Sequence, residues 1–169
     1  MKCFFDFAFT GLYQNTTPIS IGLVKENGQS FYGVFNDFDK TAINDWLKEN
    51  VINHLYDEAP KYIGPKHRMG ERVANFLSPN TKYEMWGDCL AYDWVLFCEM
   101  FGSAFNVPIN IYYIPFDICT LFKMKGIDPD INRMQFAELN DDLKLSQHNA
   151  LADAIAIKRC YDKLTGATK

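Results

Sequence analysis

The sequence has no cysteine pattern of the kind that binds zinc or forms a disulfide framework. Its five cysteines are an odd number, include no C-x-x-C pair, and are spread from Cys3 to Cys160. Reduced and mostly buried thiols fit this distribution better than disulfides do. We therefore expect no structural metal held by sulfur.

The sequence also lacks a long hydrophobic run. The apolar opening MKCFFDFAFT is short, is interrupted by Asp6, and has no small-residue cleavage site. A signal peptide or a membrane span would need a longer uninterrupted apolar segment. We therefore expect neither, no membrane partner, and a cytoplasmic location.

The sequence also has no excess of basic residues. The net charge is −4, from 17 Lys and Arg against 21 Asp and Glu. A protein that holds long duplexes by neutralising many phosphates would be basic, so that class is disfavoured. A short or single-stranded nucleic acid stays open, because acidic residues that converge on divalent cations change the charge that a substrate meets.

The composition predicts one compact domain over residues 1–169. Hydrophobic residues make up 48% of the chain, which is enough to bury one sizeable core. No repeat, low-complexity segment or Pro/Gly/Ser-rich linker divides the sequence into halves.

Hydrophobic periodicity predicts strands first and alternating elements afterwards. Period-two alternation predicts antiparallel strands at 2–9, 18–24 and 29–36, and helical spacing predicts helices at 39–55 and 66–77. Further elements are predicted as a strand at 82–86, a helix at 91–102, a buried strand at 109–114, and helices at 117–123 and 150–164, the last capped by Asn149. Three antiparallel strands followed by parallel ones predict an α/β mixed sheet flanked by helices, the order found in the ribonuclease-H-like architecture.

Asp6 is the first candidate site residue. Side chains alternate along a strand, so Phe4, Asp6 and Ala8 share one face while the intervening residues share the other. Burying an unpaired carboxylate among phenylalanines costs several kcal/mol, and something must compensate it. An ion pair or an exposed strand end would do so, and so would a functional site.

Two further segments carry acids at positions suited to chemistry. Asp93, in WGDCLAYDW, begins an apolar helix, where the helix dipole alone would favour an acid. In HNALAD, His148 precedes the cap and Asp153 follows it within the first turn, which places an imidazole beside a carboxylate. A surface histidine and an exposed helical acid would explain the second segment equally simply.

Taken together, these segments resemble the DEDD exonuclease superfamily in its DEDDh branch. The match consists of Asp6 with Thr10-Gly11-Leu12, Tyr92-Asp93 on a middle helix, and His148-x-x-x-x-Asp153 on the last helix, covering residues 4 to about 165. The surrounding PISIGLV and WGDCLAYDW are similar to small stand-alone exoribonucleases of bacteria and phages.

The resemblance implies hydrolysis of the terminal phosphodiester from the 3′ end, with release of nucleoside monophosphates. It implies two divalent cations, Mg²⁺ or Mn²⁺, whose preference for oxygen ligands suits carboxylates. Asp6 would contact both cations, Asp153 the one on the nucleophile side and Asp93 the one on the leaving-group side. His148 would be the general base.

The implied partner is single-stranded RNA or a short oligonucleotide, with DNA possible, and a homodimer is also implied. The family pattern places Thr10, Gly11 and Leu12 at the terminal nucleotide, and the neighbouring Phe7 and Tyr92 complete the candidate substrate-binding set. The segment KYIGPKHRMGER supplies two basic candidates for binding the substrate. These are Arg68 and Arg72, which stand near a predicted helix start beside an aromatic residue. An ordinary solvated charged loop is the alternative explanation for that segment.

The sequence departs from the family at Ala8, where the family has Glu. The chain as written therefore lacks one metal ligand and is expected to be inactive or strongly impaired. We favour a Glu-to-Ala change that traps substrate or product over natural decay, because His148 and Asp153 are still present. A non-catalytic nucleotide-binding module on the same fold and a plain interaction domain are the alternatives.

Overall fold

The computed structural model describes residues 1–139 and 148–167, which form a six-stranded mixed sheet flanked by helices. The strands are β1 (Lys2–Phe9), β2 (Pro18–Lys25), β3 (Ser30–Phe35), β4 (Tyr62–Gly64), β5 (Glu84–Gly87) and β6 (Phe116–Asp117), in the order β4-β3-β2-β1-β5-β6. The first three pair antiparallel and the others add in parallel. The predicted fold class is confirmed.

Six α-helices in the described residues connect and cover these strands. They are α1 (Asp45–Asn50), α2 (Lys66–Phe76), α3 (Asp93–Met100), α4 (Ile118–Met124), α5 (Arg133–Phe136) and α6 (Ala150–Thr165). None of them is long and apolar enough to cross a membrane.

Alternate side chains of β1 pack into core clusters on opposite faces of the sheet, as the two-residue period of a strand predicts. Phe5 and Phe7 pack on the α2 and α3 side, in a cluster that includes Phe97 of α3. On the other face, Phe4 packs against Ile157 of α6. Asp6 is on this second face, within a strand that has neighbours on both sides.

A glycine lets α6 approach the sheet closely. A Cβ atom on Gly22 would stand 2.1 Å from the carbonyl oxygen of Ala150, so any side chain there would collide with helix backbone. Gly22 pairs with Asp6 in the β1–β2 register. The first turn of α6 consequently lies over the strand next to Asp6.

The single helix predicted at 39–55 is wrong. A 3₁₀ turn at Lys40–Ala42 is followed by α1 and by a second 3₁₀ turn at Ile52–His54. The side chain of Asn44 accepts a hydrogen bond from the backbone N–H of Leu47 and starts a new helix there. Local capping therefore divides a segment whose apolar spacing is continuous.

The buried strand predicted at 109–114 is also wrong. Ile111 makes one isolated bridge to Tyr83, while Ile109 is fully exposed and the short strand β6 comes later. The amide nitrogen of Asn110 donates to three backbone carbonyls, including that of Leu77 at 2.8 Å, and fixes the segment as a loop. The strand β4, in contrast, is present in the structure but was not predicted from the sequence.

Candidate active site

Asp6 is held in the middle of the sheet with three other carboxylates near it. Its pKa is raised well above the usual range, first by removal from water and then by the charges of Asp153, Asp93 and Asp88. The three predicted acids, Asp6, Asp153 and Asp93, come from β1, α6 and α3, and both helices contact β1. The predicted acids are therefore brought together.

Asp93 is fixed by a hydrogen bond to the strand that carries Asp6. Its Oδ1 accepts the backbone N–H of Phe7 at 2.9 Å, and the side chain is buried. Burial raises its pKa to about 7 despite that stabilising bond. Its position at the start of α3 also gives it helix-dipole stabilisation, but this does not offset its removal from water.

Asp153 stands in the first turn of α6, as the sequence predicts. Asn149 caps this helix, accepting hydrogen bonds from the backbone N–H groups of Leu151 and Ala152. Burial raises the pKa of Asp153 to about 7, against a hydrogen bond from the backbone of His148 that lowers it. The cap thus fixes the position of the acid relative to the strands.

His148 lies beside this carboxylate with its ring against a tryptophan. The ring centroids of His148 and Trp46 are 5.1 Å apart in an edge-to-face arrangement. The backbone of His148 is left-handed, with a φ of 69°. Partial burial lowers its pKa, so the imidazole is neutral and able to accept a proton near pH 7.

Two adjoining cavities meet at these residues. One, of about 560 Å³, extends past Ala8 to α1, and the other, of about 710 Å³, extends past Asp93 to the start of α5. The residues that line both are Asp6, Phe7, Phe9, Leu12, His148 and Asp153. The acids and the histidine therefore stand between two spaces, each large enough for a small ligand.

The predicted substrate-binding residues around Leu12 surround the first cavity. Thr10 is buried and accepts the backbone N–H of Thr17 at 2.9 Å, which holds the turn after β1. Gly11 follows it on the cavity wall, and Leu12 is 78% exposed there. An exposed leucine beside the acids is suited to contact with an apolar ligand surface.

Of the other two predicted substrate-binding residues, Phe7 lies in the core and Tyr92 lies on a cavity wall. Phe7 is buried in the core and lines both cavities. Tyr92 lines the second cavity and packs on Phe9, with ring centroids 5.6 Å apart.

Arg68 and Arg72 do not line either of these two cavities. Arg68 forms an exposed ion pair with Glu71 at 3.0 Å, and the Arg72 guanidinium lies 5.1 Å from the centroid of the Tyr62 ring. Both are on α2, outside the group of acids.

Sequence analysis did not identify Trp46 as a site residue, because it lies within the single helix predicted at 39–55. Its side chain is 53% exposed and lines the first cavity together with Asn44. The signal available was the Asn44 cap, because a helix that starts there turns Trp46 away from the core.

Sequence analysis also missed the ion pair between Asp88 and Arg133 at the second cavity. The guanidinium donates to both carboxylate oxygens, at 2.7 and 3.0 Å. In the described residues, ligand atoms of Asp88, Asp117 and Cys119 all lie within 4.8 Å of one another. Arg133 already supplies positive charge at this group, and the Cys119 pKa is raised to about 12 by burial, which keeps it a thiol.

In contrast to Asp88, which pairs with Arg133, the acids Asp6, Asp93 and Asp153 have no basic partner in the described part of the chain. Within residues 1–139 and 148–167, no salt bridge includes any of the three. Burial and the charges of Asp93 and Asp153 raise the pKa of Asp6, and such carboxylates favour either protonation or a bound cation. Their oxygen donors fit Mg²⁺ or Mn²⁺ better than a soft metal.

The sequence matches a known family over almost its whole length. The sequence model of the family described as the 3'-5' exoribonuclease Rv2179c-like domain covers residues 1–165. The chain belongs to this family. The Rv2179c-like assignment confirms the resemblance to exoribonucleases that the three acidic motifs indicate.

Two curated relatives support the Rv2179c-like assignment. The 3'-5' exoribonuclease Rv2179c of Mycobacterium tuberculosis strain H37Rv is 25% identical over 128 residues, which are 75% of this chain and 76% of the relative. The 3'-5' exoribonuclease MT2234.1 of strain CDC 1551 gives the same values.

Solved structures share the fold of this Rv2179c-like chain. The nuclease domain of 3'hExo, a DEDDh family member bound to rAMP, has a TM-score of 0.62 at 13% identity and covers 98% of this chain and 92% of that one. The RNase domain of yeast Pop2 has a TM-score of 0.63 at 13% identity, with 98% and 78% covered. E. coli ExoI in its ssDNA complex has a TM-score of 0.64 at 15% identity, and this chain covers 40% of it.

Proposed function

We propose that the acids between the two cavities form the catalytic site of a metal-dependent 3′-to-5′ exonuclease, with residues 1–169 as one exonuclease domain. The observation that carries this proposal is the meeting of Asp6, Asp93 and Asp153 beside a neutral His148. Three acids from separate elements, all with raised pKa values, are costly to keep together unless they have a use.

Asp6, Asp93 and Asp153 are the residues that would hold two divalent cations, Mg²⁺ or Mn²⁺. When bound, such ions supply Lewis-acid activation of water and stabilisation of the leaving 3′ oxygen. The raised pKa values of the acids support this assignment, because ionised carboxylates here need a compensating positive charge.

His148 is the proposed general base. Its neutral ring accepts the proton of the attacking water as the new P–O bond forms and the bond to the 3′ oxygen breaks, and that oxygen is protonated in turn from solvent. Asp153 lies next to it and accepts a hydrogen bond from its backbone. This contact orients the loop residue relative to the acid.

The first cavity is the proposed place of the terminal nucleotide. Leu12 and Trp46 present exposed apolar surface there, and Thr10 and Gly11 form the adjoining turn. Aromatic faces stack on any base, which suits a single strand. Phe7 and Tyr92 line the route through the second cavity toward the rest of the strand.

RNA is the favoured substrate, because the two curated relatives are named exoribonucleases. The product of the proposed reaction is a nucleoside monophosphate. A homodimer and a cytoplasmic location stay predictions from the sequence, and light scattering after size-exclusion chromatography tests the first.

Ala8 removes a carboxylate from this site. The residue is next to Asp6 on the same face of β1, and it lines the first cavity. A glutamate here would extend its carboxylate into a cavity of about 560 Å³ that already contains His148 and Asp153. The chain with Ala8 is therefore proposed to bind nucleotide and to cut it weakly or not at all.

The test compares the chain with Ala8→Glu and, as a matched control, Ala8→Gln. Each is incubated with 5′-labelled single-stranded RNA and the matching DNA in Mn²⁺, Mg²⁺ or EDTA. We expect stepwise shortening from the 3′ end only for Ala8→Glu with a metal, since Gln has the same shape without the charge. No cleavage by Ala8→Glu in either metal would contradict the proposal.

A non-catalytic nucleotide-binding module is the second candidate, and Ala8 is the observation that favours it. This candidate predicts that nucleoside monophosphate binds with equal affinity to the chain and to Ala8→Glu, and that neither cuts. Calorimetric titration of both proteins with AMP and Mn²⁺ distinguishes it from the exonuclease.

A further inference from the structure

A buried side chain anchors the residue next to His148. Asn149 is 3% exposed and uses both ends of its amide. Its oxygen caps α6, and its nitrogen donates to the hydroxyl of Tyr32 at 3.3 Å. The carbonyl of His54 lies 3.5 Å from the same nitrogen. The start of α6 is therefore tied to the sheet by side-chain hydrogen bonds as well as by packing.

Tyr32 connects this anchor to the segment after α1. Its side chain, on β3, is 1% exposed, and its hydroxyl donates to the carbonyl of Leu55 at 2.9 Å. Burial raises its pKa to about 12, so the hydroxyl keeps its proton and stays a donor. One phenol thus accepts from α6 and donates to the turn that follows α1.

These two connections belong to the core cluster beneath α1 and the start of α6. Leu47 of α1, Leu55 and Ala150 of α6 belong to the same core cluster as Tyr32. Trp46, which contacts the imidazole ring, is the neighbour of Leu47 in α1. The imidazole ring therefore lies against α1, and Tyr32 bonds both the Asn149 cap on one side and Leu55, just after the 3₁₀ turn that follows α1, on the other.

The backbone of His148 explains why such fixing is needed. A residue other than glycine in the left-handed region is strained, and surrounding structure must hold it there. The next residue, Asn149, has an extended backbone and a fully bonded side chain. The hydrogen bonds of Asn149 therefore constrain the backbone of His148 from its C-terminal side.

We propose that Tyr32 is a positioning residue for His148. Through Asn149 and Leu55 it sets the left-handed conformation of His148 and the contact of its ring with Trp46. This inference rests on the role of His148 in the proposed function, but its structural half is independent of catalysis. The first turn of α6, which carries Asp153, also packs directly on Gly22 of β2, so Tyr32 affects the orientation of the base more than the binding of metal.

The variant Tyr32→Phe removes one oxygen and keeps the ring that packs in the core. In the chain as it stands, NMR would measure the nuclear Overhauser effect between the rings of Trp46 and His148, and calorimetry would measure Mn²⁺ affinity. We expect the ring-to-ring signal to be lost or strongly reduced, with Mn²⁺ affinity unchanged within about twofold. In the Ala8→Glu background we expect kcat to fall about tenfold at constant KM.

Val34→Ala is the matched control, because Val34 is on the same strand and in the same core cluster but makes no side-chain hydrogen bond. It should lower the melting temperature comparably while keeping the ring-to-ring signal and kcat. If Tyr32→Phe behaves like this control, the residue is only structural and the proposal is overturned. If Ala8→Glu shows no turnover at all, the exonuclease proposal fails, and the NMR comparison still decides the role of Tyr32.

Discussion

Gly22 faces Asp6 across the β1–β2 pair, and the carbonyl oxygen of Ala150 occupies the space that a side chain on Gly22 would need. The missing side chain on one strand thereby permits the close approach of α6, which carries Asp153 toward Asp6. A core glycine is in this sense a determinant of the acidic site. It makes no contact of its own with a substrate.

Gly22→Ala should separate the two acids. The added Cβ would stand 2.1 Å from the helix carbonyl, and backbone yields less readily than a side chain. We expect a loss of about 2–4 kcal/mol in the free energy of unfolding and at least tenfold weaker Mn²⁺ binding. Urea denaturation and calorimetry measure the two effects.

Gly33→Ala is the control for this change. Gly33 is in the neighbouring strand, and its added Cβ would meet the flexible side chain of Met69 instead of backbone. Stability should fall less, and Mn²⁺ affinity should stay unchanged. Equal effects of both variants on metal binding would disprove the specific role of Gly22.

The raised pKa values of the acids predict that the metal-free protein loses stability as the pH rises. Asp93 and Asp153 have pKa values of about 7 in the folded protein against a usual value near 3.8. Between these values the folded state binds more protons than the unfolded state. The free energy of unfolding due to these groups therefore falls from about pH 4 to about pH 7 and is level above that range.

Asp93→Asn should flatten this dependence. The amide keeps an oxygen that can accept the Phe7 N–H but carries no charge. At about pH 8 in EDTA we expect the variant to be more stable than the parent by about 1–3 kcal/mol, because a neutral amide costs less to bury than a carboxylate and also escapes the charges of Asp88 and Asp117. Mn²⁺ should raise the melting temperature of the parent and have little effect on the variant. A variant less stable than the parent at that pH would contradict the assignment.

The parts of the site that the sequence predicted depend on local rules. The face of Asp6 follows from the period of a strand, and the placement of Asp153 follows from the Asn149 cap. Both rules act within a few residues of the acid. The order of the motifs then matched a family whose fold brings them together.

The parts that were wrong or missed depend on contacts distant in sequence. The segment 109–114 has the composition of a strand, but Asn110 binds the carbonyls of a loop about 30 residues earlier in the chain. The role of Trp46 depends on the break at Asn44, which continuous apolar spacing conceals. Hydrophobic pattern alone does not distinguish these outcomes.

Trp46→Ala should weaken nucleotide binding. The indole is half exposed on the cavity wall, and base stacking on an aromatic ring contributes about 1–3 kcal/mol. We expect AMP affinity to fall about tenfold, with a melting temperature nearly unchanged. Calorimetric titration with AMP measures this. Trp46→Phe is the control and should keep most of the affinity, since it keeps an aromatic face. Full affinity in Trp46→Ala would place the base elsewhere.

The remaining prediction concerns Arg68 and Arg72 on α2. These residues are outside the two cavities, and Glu71 already pairs with Arg68, so they can reach only a strand that extends beyond the terminal nucleotides. The double variant to Ala should weaken binding of a long single-stranded RNA about three- to tenfold and reduce its dependence on salt. Binding of a dinucleotide should not change.

Arg159→Ala, at an exposed position on α6, is the control for the loss of one positive charge outside α2 and should leave RNA binding unchanged. Fluorescence anisotropy with labelled oligonucleotides of increasing length, at two salt concentrations, separates the cases. Affinity of the double variant that equals the parent at every length would remove α2 from the substrate path. A loss of affinity that is equally large for the dinucleotide would instead mean that the substitutions disturb the catalytic cavities, because neither arginine lines them.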